Sequence, residues 1–134
     1  MITSAEEFVR LQTSKDPDEY FRAAQDPAPE EVWLEVIEKY PHMKEWVAHN
    51  KTVKGKILEL LSIDPDKVVR HEVATRRAAG EKILMQLASD SEVYVRDCVI
   101  DNPKITKSVL KIFLNDKEKY LRDQAAEKLA NWKD

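Results

Sequence analysis

The chain has 134 residues, 43% of them hydrophobic and 35% charged, with two glycines, one cysteine and a formal charge of −3. That is the length of one domain with apolar content enough for a modest continuous core; it excludes a disordered or collagen-like chain, an internal disulfide framework and a cysteine-cluster metal site. No apolar run approaches the ~20 residues of a membrane span, and Met1 to Leu11 carries Glu6, Glu7 and Arg10 where a signal peptide would be apolar, so a cytoplasmic protein with no membrane contact is expected.

In chain order, residues 2–12 read as a helix: Ser4 stands as N-cap, Glu7 comes three residues on as in a capping box, and Phe8 and Leu11 form a short apolar stripe. Residues 1–17 are then an N-terminal cap that seals the open end of a helical stack. Residues 13–18 read as a turn, residues 19–25 as a short helix ended by Asp26-Pro27-Ala28-Pro29, and residues 30–40 as a helix whose broad apolar face holds Val32, Trp33, Val36, Ile37 and Tyr40. Residues 1–43 carry ten acids against four bases, whereas the remainder carries 15 acids and 18 bases, so the chain is electrically polar along its length.

From there an internal repeat of 26 positions governs the pattern. Ile57, Ile83 and Val109 share a column, as do Leu58, Leu84 and Leu110, then Leu61, Leu87 and Phe113, Val69, Val95 and Leu121, and Val47, Val73, Val99 and Ala125. The units run 44–69, 70–95 and 96–121, with residues 122–134 as a truncated last unit and C-terminal cap. Residues 18–43 match as a degenerate first unit at a shift of 24, which lays Trp33 on Ile57, Leu34 on Leu58 and Ile37 on Leu61. Each unit holds a short first helix with buried positions three and four apart, such as Val69, Val73 and Ala74. Its second helix places Ile83, Leu84, Leu87 and Ala88, or Val109, Leu110, Phe113 and Leu114, on one face. Gly80 and Thr106 stand at N-cap positions, preceded by the staple residues Ala79 and Ile105, with Val53 in the same column. Repeats of this period bury their apolar faces only by stacking on one another.

Asp64 and Arg70, Asp90 and Arg96, Asp116 and Arg122 are each six residues apart. Together with the preceding L-x-x-L-x-x-D, this spacing resembles the HEAT repeat, whose inter-helix turn carries an Asp and whose next helix carries a basic residue at that distance. The shorter period and the phrase Trp46-Val47-Ala48-His49-Asn50-Lys51-Thr52 are also similar to the leucine-rich-repeat variant, a bacterial repeat of alternating α and 3-10 helices. The resemblance covers about residues 20 to 130 and implies an all-α, right-handed α-solenoid (a HEAT/ARM-like superhelix) of about four two-helix repeats of 24–26 residues, with a binding role. The iron-sulfur segment known in one member of the variant family needs several cysteines and does not carry over to this chain, which has one.

Two readings attach to the arginine column. Arg70, Arg96 and Arg122 either pair with the turn carboxylates Asp64, Asp90 and Asp116, of their own or the adjacent unit, as a structural ladder, or they line a phosphate track. The regular acidic partner favours the ladder. Arg76 and Arg77 have no matching acids and read as exposed contacts, extended by Lys51, Lys54, Lys56, Lys82, Lys104, Lys107 and Lys111, although a lysine-rich face is also the ordinary outcome for a soluble helix. Trp46 stands where other units have Glu72, Cys98 and Gln124: it is a partner anchor or a cover for the short first unit. Cys98 reads as a partly exposed, inert thiol. Tyr94 and Tyr120 are expected to keep their hydroxyls in water.

Leu60 and Met85, with Glu59, Gln86 and Lys111, mark the exposed flank of the second helices, which the HEAT resemblance places on the concave side. His42, Glu45 and His49 lack a further ligand, so no metal or other cofactor is expected. No G-x-S-x-G, H-E-x-x-H or P-loop is present, so no enzyme is expected. The reading is a monomeric, noncatalytic protein-protein interaction scaffold whose partner-binding residues are Trp46, Glu59, Leu60, Arg76, Arg77, Met85, Gln86 and Lys111. Its narrower form is a bacterial inhibitor or immunity-type protein whose acidic N-terminal end faces a basic nuclease. The alternative is nucleic-acid binding through Arg76, Arg77 and the lysine flank.

Overall fold

The computed structural model describes residues 1–133. Among them the secondary structure is entirely helical: α1 (Ala5–Gln12), α2 (Pro17–Gln25), α3 (Glu30–Lys39), α4 (Lys44–His49), α5 (Lys56–Ser62), α6 (Lys67–Thr75), α7 (Gly80–Leu87), α8 (Val93–Ile100), α9 (Lys107–Ile112) and α10 (Lys119–Ala130). Short 3-10 turns cover Pro41–Met43, Arg77–Ala79 and Phe113–Asn115. The first helices pack in sequence, α4 on α6, α6 on α8 and α8 on α10, and the second helices do the same, α3 on α5, α5 on α7 and α7 on α9. No described helix is long and apolar enough to cross a membrane.

The first helix forms as its sequence dictates. Ser4 Oγ accepts the Glu7 N–H at 3.0 Å, and Glu7 Oε1 accepts the Thr3 N–H at 2.8 Å, one residue earlier than a standard capping box requires. Phe8 and Leu11 are fully buried, and so is Ile2, whose N–H donates to Pro27 O at 2.8 Å. α1 packs on α2 and α3, with the Phe8 ring edge-on to Trp33 at 5.1 Å and the Tyr40 hydroxyl donating to Glu6 at 2.8 Å. That hydrogen bond holds the Glu6 carboxyl below its usual range. α2 begins at Pro17 rather than after Asp18. Asp16 caps it by accepting the Asp18 N–H at 2.9 Å, and proline at the first helical position loses no hydrogen bond.

The apolar columns form one core. Ile57, Leu58, Leu61, Ile83, Leu84, Leu87, Val109, Leu110 and Phe113 are all buried, as are Val47, Val69, Val73, Val95, Val99, Leu121 and Ala125. Helices of this length are marginal in isolation, so their stability comes from packing on neighbouring helices. Two expectations fail. Leu114 is 42% exposed, because α9 ends at Ile112 and the tighter 3-10 turn, three residues to the turn, carries Leu114 away from the face that holds Phe113. Leu34 is 43% exposed, so it does not share the column of Leu58; burial instead aligns Val32, Trp33 and Val36 with Ile57, Leu58 and Leu61, a shift of 25.

Both glycines open second helices. Gly55, the N-cap of α5, has φ 57 and ψ −128, and Gly80, at the start of α7, has φ 76 and ψ 166. These are cap dihedrals that only glycine adopts without strain. Thr106 does the same task in the third unit with φ −99, its hydroxyl accepting the Val109 N–H at 3.3 Å. Ahead of them Val53 and Ala79 are buried and Ile105 packs against the core.

Candidate functional site

The arginine column is a ladder. Arg70 Nε donates to Asp90 Oδ2 at 2.7 Å and Nη2 to Oδ1 at 3.3 Å, while Nη1 donates to the carbonyls of Asp64 and Pro65 at 2.7 and 3.0 Å. Arg96 repeats the pattern with Asp116 at 2.9 and 3.3 Å and with Asp90 O at 2.9 Å. Each guanidinium therefore takes the carboxylate 20 residues ahead and the backbone of the turn six residues behind it. Asp90 Oδ1 and Asp116 Oδ1 also accept the N–H groups of Glu92 and Glu118, so one side chain caps its turn and ties it to the helix that carries the arginine 20 residues earlier. The bond to Asp90 raises the Arg70 pKa. Lys44, 26 residues before Arg70, is a further rung, its Nζ 2.8 Å from Asp64 Oδ2; only its different side chain hid it from the sequence pattern. Arg122 donates to Asp116 O and Lys117 O, with no carboxylate partner among the described residues. With 7% and 5% of their side-chain areas exposed, Arg96 and Asp116 are sealed from solvent. Arg70 and Arg96 are thus engaged in the ladder, so the column does not form a free phosphate track.

A second column went unread in the sequence. Buried Asn50 donates Nδ2–H to Ala23 O at 2.7 Å and Asp26 O at 3.0 Å and accepts the Thr52 N–H at 2.9 Å. Two periods later, buried Asn102 donates to Ala74 O and Arg76 O at 2.8 and 3.0 Å and accepts the Lys104 N–H at 2.8 Å. Lys128 reaches Ile100 O at 3.0 Å from the same column. The remaining position is Arg76, so Arg76 is not the freely exposed contact expected of it: it is half-buried, donating to His49 O at 3.3 Å. Arg77 is exposed, as expected. The 52-residue spacing of Asn50 and Asn102 was the available signal.

The proposed contact residues divide among three places. Glu59, Leu60, Met85, Gln86 and Lys111 are exposed on the second helices, with Leu60 at 44% and Met85 at 38%; Leu34 and Leu114 are unexpectedly exposed as well. Gln86 Nε2 lies 3.3 Å from Ser62 Oγ, linking α7 to α5. Trp46 belongs to α4, half-buried against the core with its ring edge-on to His49 at 5.8 Å. His49 Nδ1 is 3.3 Å from Glu72. Arg76 and Arg77 lie in the loop between first and second helix.

Tyr94 and Tyr120 are 44% and 45% exposed, and Tyr94 stacks on His71 at 4.1 Å. Among the described residues no group of three or more His, Cys, Asp or Glu side chains is placed to hold a metal ion; His42 lies in the 3-10 turn ahead of α4, not on the helix of Glu45 and His49. Burial, with Asp97 and Asp101 nearby, pushes the Cys98 thiol up to about 11, the environment of an unreactive cysteine. No family model, curated protein or solved structure matches the chain.

Proposed function

We propose that the chain is a noncatalytic binding scaffold, an α-solenoid of about four two-helix units of 24–26 residues, that takes a protein partner on the flank of its second helices. The observation that carries this is a large apolar side chain left in solvent on each of four successive second-helix segments, Leu34, Leu60, Met85 and Leu114. A contiguous apolar patch rimmed by polar residues is the usual mark of a protein contact, and one patch formed by these four side chains is part of the proposal. The rim is charged with opposite sign at its two ends, by Glu31 and Glu35 on α3 and by Lys82 and Lys111 on α7 and α9. A cytoplasmic inhibitor or immunity-type role, in which this acidic end faces a basic partner, belongs to the same proposal. Retention of one stoichiometric protein from a cell lysate, at low and moderate salt and after nuclease treatment, is the expected outcome. Leu60→Glu combined with Met85→Glu should abolish it without altering the melting temperature; retention by that variant overturns the assignment of the flank.

Nucleic-acid binding is the second reading, supported by one specific feature. Lys51, Lys54, Lys56, Arg77, Lys82 and Lys104 are exposed at the junctions of first and second helices, with no ion-pair partner among the described residues. Recovery only of nucleic-acid-associated proteins, lost on nuclease treatment, together with affinity that falls steeply with salt, would favour it.

A further inference from the structure

Arg76 departs from its column in a way that leaves a charge unbalanced. Asn50 and Asn102 satisfy the carbonyls they meet and have their own oxygens satisfied in turn. The Arg76 guanidinium makes one hydrogen bond among the described residues, to a neutral carbonyl, and its Nε is buried with no partner. The guanidinium flanks a cavity of about 370 Å³ lined by Lys51, Thr75, Arg76, Arg77 and Ala78. Three cations and no carboxylate form that lining. Glu72, the acid whose field reaches Arg76, lies beside His49. Burial of the Arg76 guanidinium lowers its pKa, as expected of a charge short of a counter-ion.

We propose that this cavity is an oxyanion site for a dianionic phosphate group, held by Lys51, Arg76 and Arg77. Three cations in one lining match a charge of two better than the single charge of a phosphodiester. The exposed Arg77 guanidinium supplies the forked donors that phosphate oxygens accept, and Arg76 and Lys51 add positive charge. Inorganic phosphate and a phosphoserine side chain present the same chemistry. The site is independent of the apolar flank, so it stands or falls separately from the protein-partner reading.

The test is a titration of the isotope-labelled full chain with inorganic phosphate at fixed ionic strength, monitored by amide chemical shifts. Saturable shifts confined to Lys51, Thr75, Arg76, Arg77 and Ala78 are expected. Lys51→Ala and Arg77→Ala, both on the surface, should each weaken binding about tenfold, the loss of one charge-assisted contact. Arg76→Asn, which installs the residue found one period on either side, should keep the fold and remove the site. A phosphoserine peptide binding more tightly than inorganic phosphate would identify a protein-borne group, and the reverse would identify a free anion; either supports the site. Dimethyl phosphate or an oligonucleotide binding as well as the dianion overturns the proposal, as do shifts spread equally over Lys54, Lys56, Lys82 and Lys104, or binding unchanged in the Lys51 and Arg77 variants.

Discussion

Replacing Asp116 by alanine tests how successive turns are joined. The substitution removes two hydrogen bonds from Arg96, at 2.9 and 3.3 Å, and one from the Glu118 N–H at 2.9 Å, at a site where the arginine side chain is 7% exposed. It leaves a guanidinium sealed from water, bound only to the Asp90 carbonyl. Breaking one partner of a buried pair costs about 3–5 kcal/mol, and the lost turn cap adds to it. Replacing both partners by apolar residues of similar volume should cost far less, since no charge is then stranded. Equilibrium urea unfolding of Asp116→Ala, Arg96→Met and the combined Arg96→Met, Asp116→Leu variant forms the cycle. The singles should fall by at least about 3 kcal/mol, with the double variant nearer the wild type than either. Hydrogen exchange should rise first in α9 and α10, because contacts in a repeat stack run between neighbours. An Asp116→Ala protein within ~1 kcal/mol of the wild type, or a double variant as unstable as the sum of the singles, would refute the view that the buried rung locks these turns together.

The buried asparagine and the thiol give two more tests. Asn102→Ala strands the carbonyls of Ala74 and Arg76 and the Lys104 N–H, and should lower stability by about 2–4 kcal/mol in urea unfolding; a change below ~1 kcal/mol would mean that water replaces the side chain there. Cys98, raised from 9.0 to about 11 by burial, should be alkylated at pH 8 about tenfold more slowly in the native than in the unfolded chain, its smaller thiolate fraction partly offset by higher nucleophilicity. The unfolded thiol ionises first as pH rises, so the unfolded state holds fewer protons between pH 9 and 11. Stability contributed by this group is therefore complete below pH 9 and is lost towards pH 11. Equal alkylation rates in the two states would contradict the burial of the thiol.

Helix content, the apolar columns and the cap residues were legible in the amino-acid order because they depend on local periodicity and backbone preference: Ser4, Gly80 and Thr106 act within a few residues of themselves. The Asp and Arg columns were legible for the same reason that any repeat is, yet which Asp meets which Arg was not. A spacing of six suggests a partner in the same turn, whereas the carboxylate reached lies 20 residues ahead. That choice belongs to stacking, which brings the next turn closer to the guanidinium than its own carboxylate. Stacking likewise decided that Asn50 and Asn102 are sealed between units and that Arg76, in the same column, is short of a partner. Leu34 and Leu114 mark the limit from the other side. Their hydrophobicity fits the repeat, but a one-residue change of register in α3 and a tightened last turn after α9 send them to solvent. Sequence alone determined which residues are apolar and, α2 apart, roughly where the helices start. The packing of one unit on the next decided which polar groups are buried and which apolar ones are left over, because burial is a property of neighbours rather than of the residue itself.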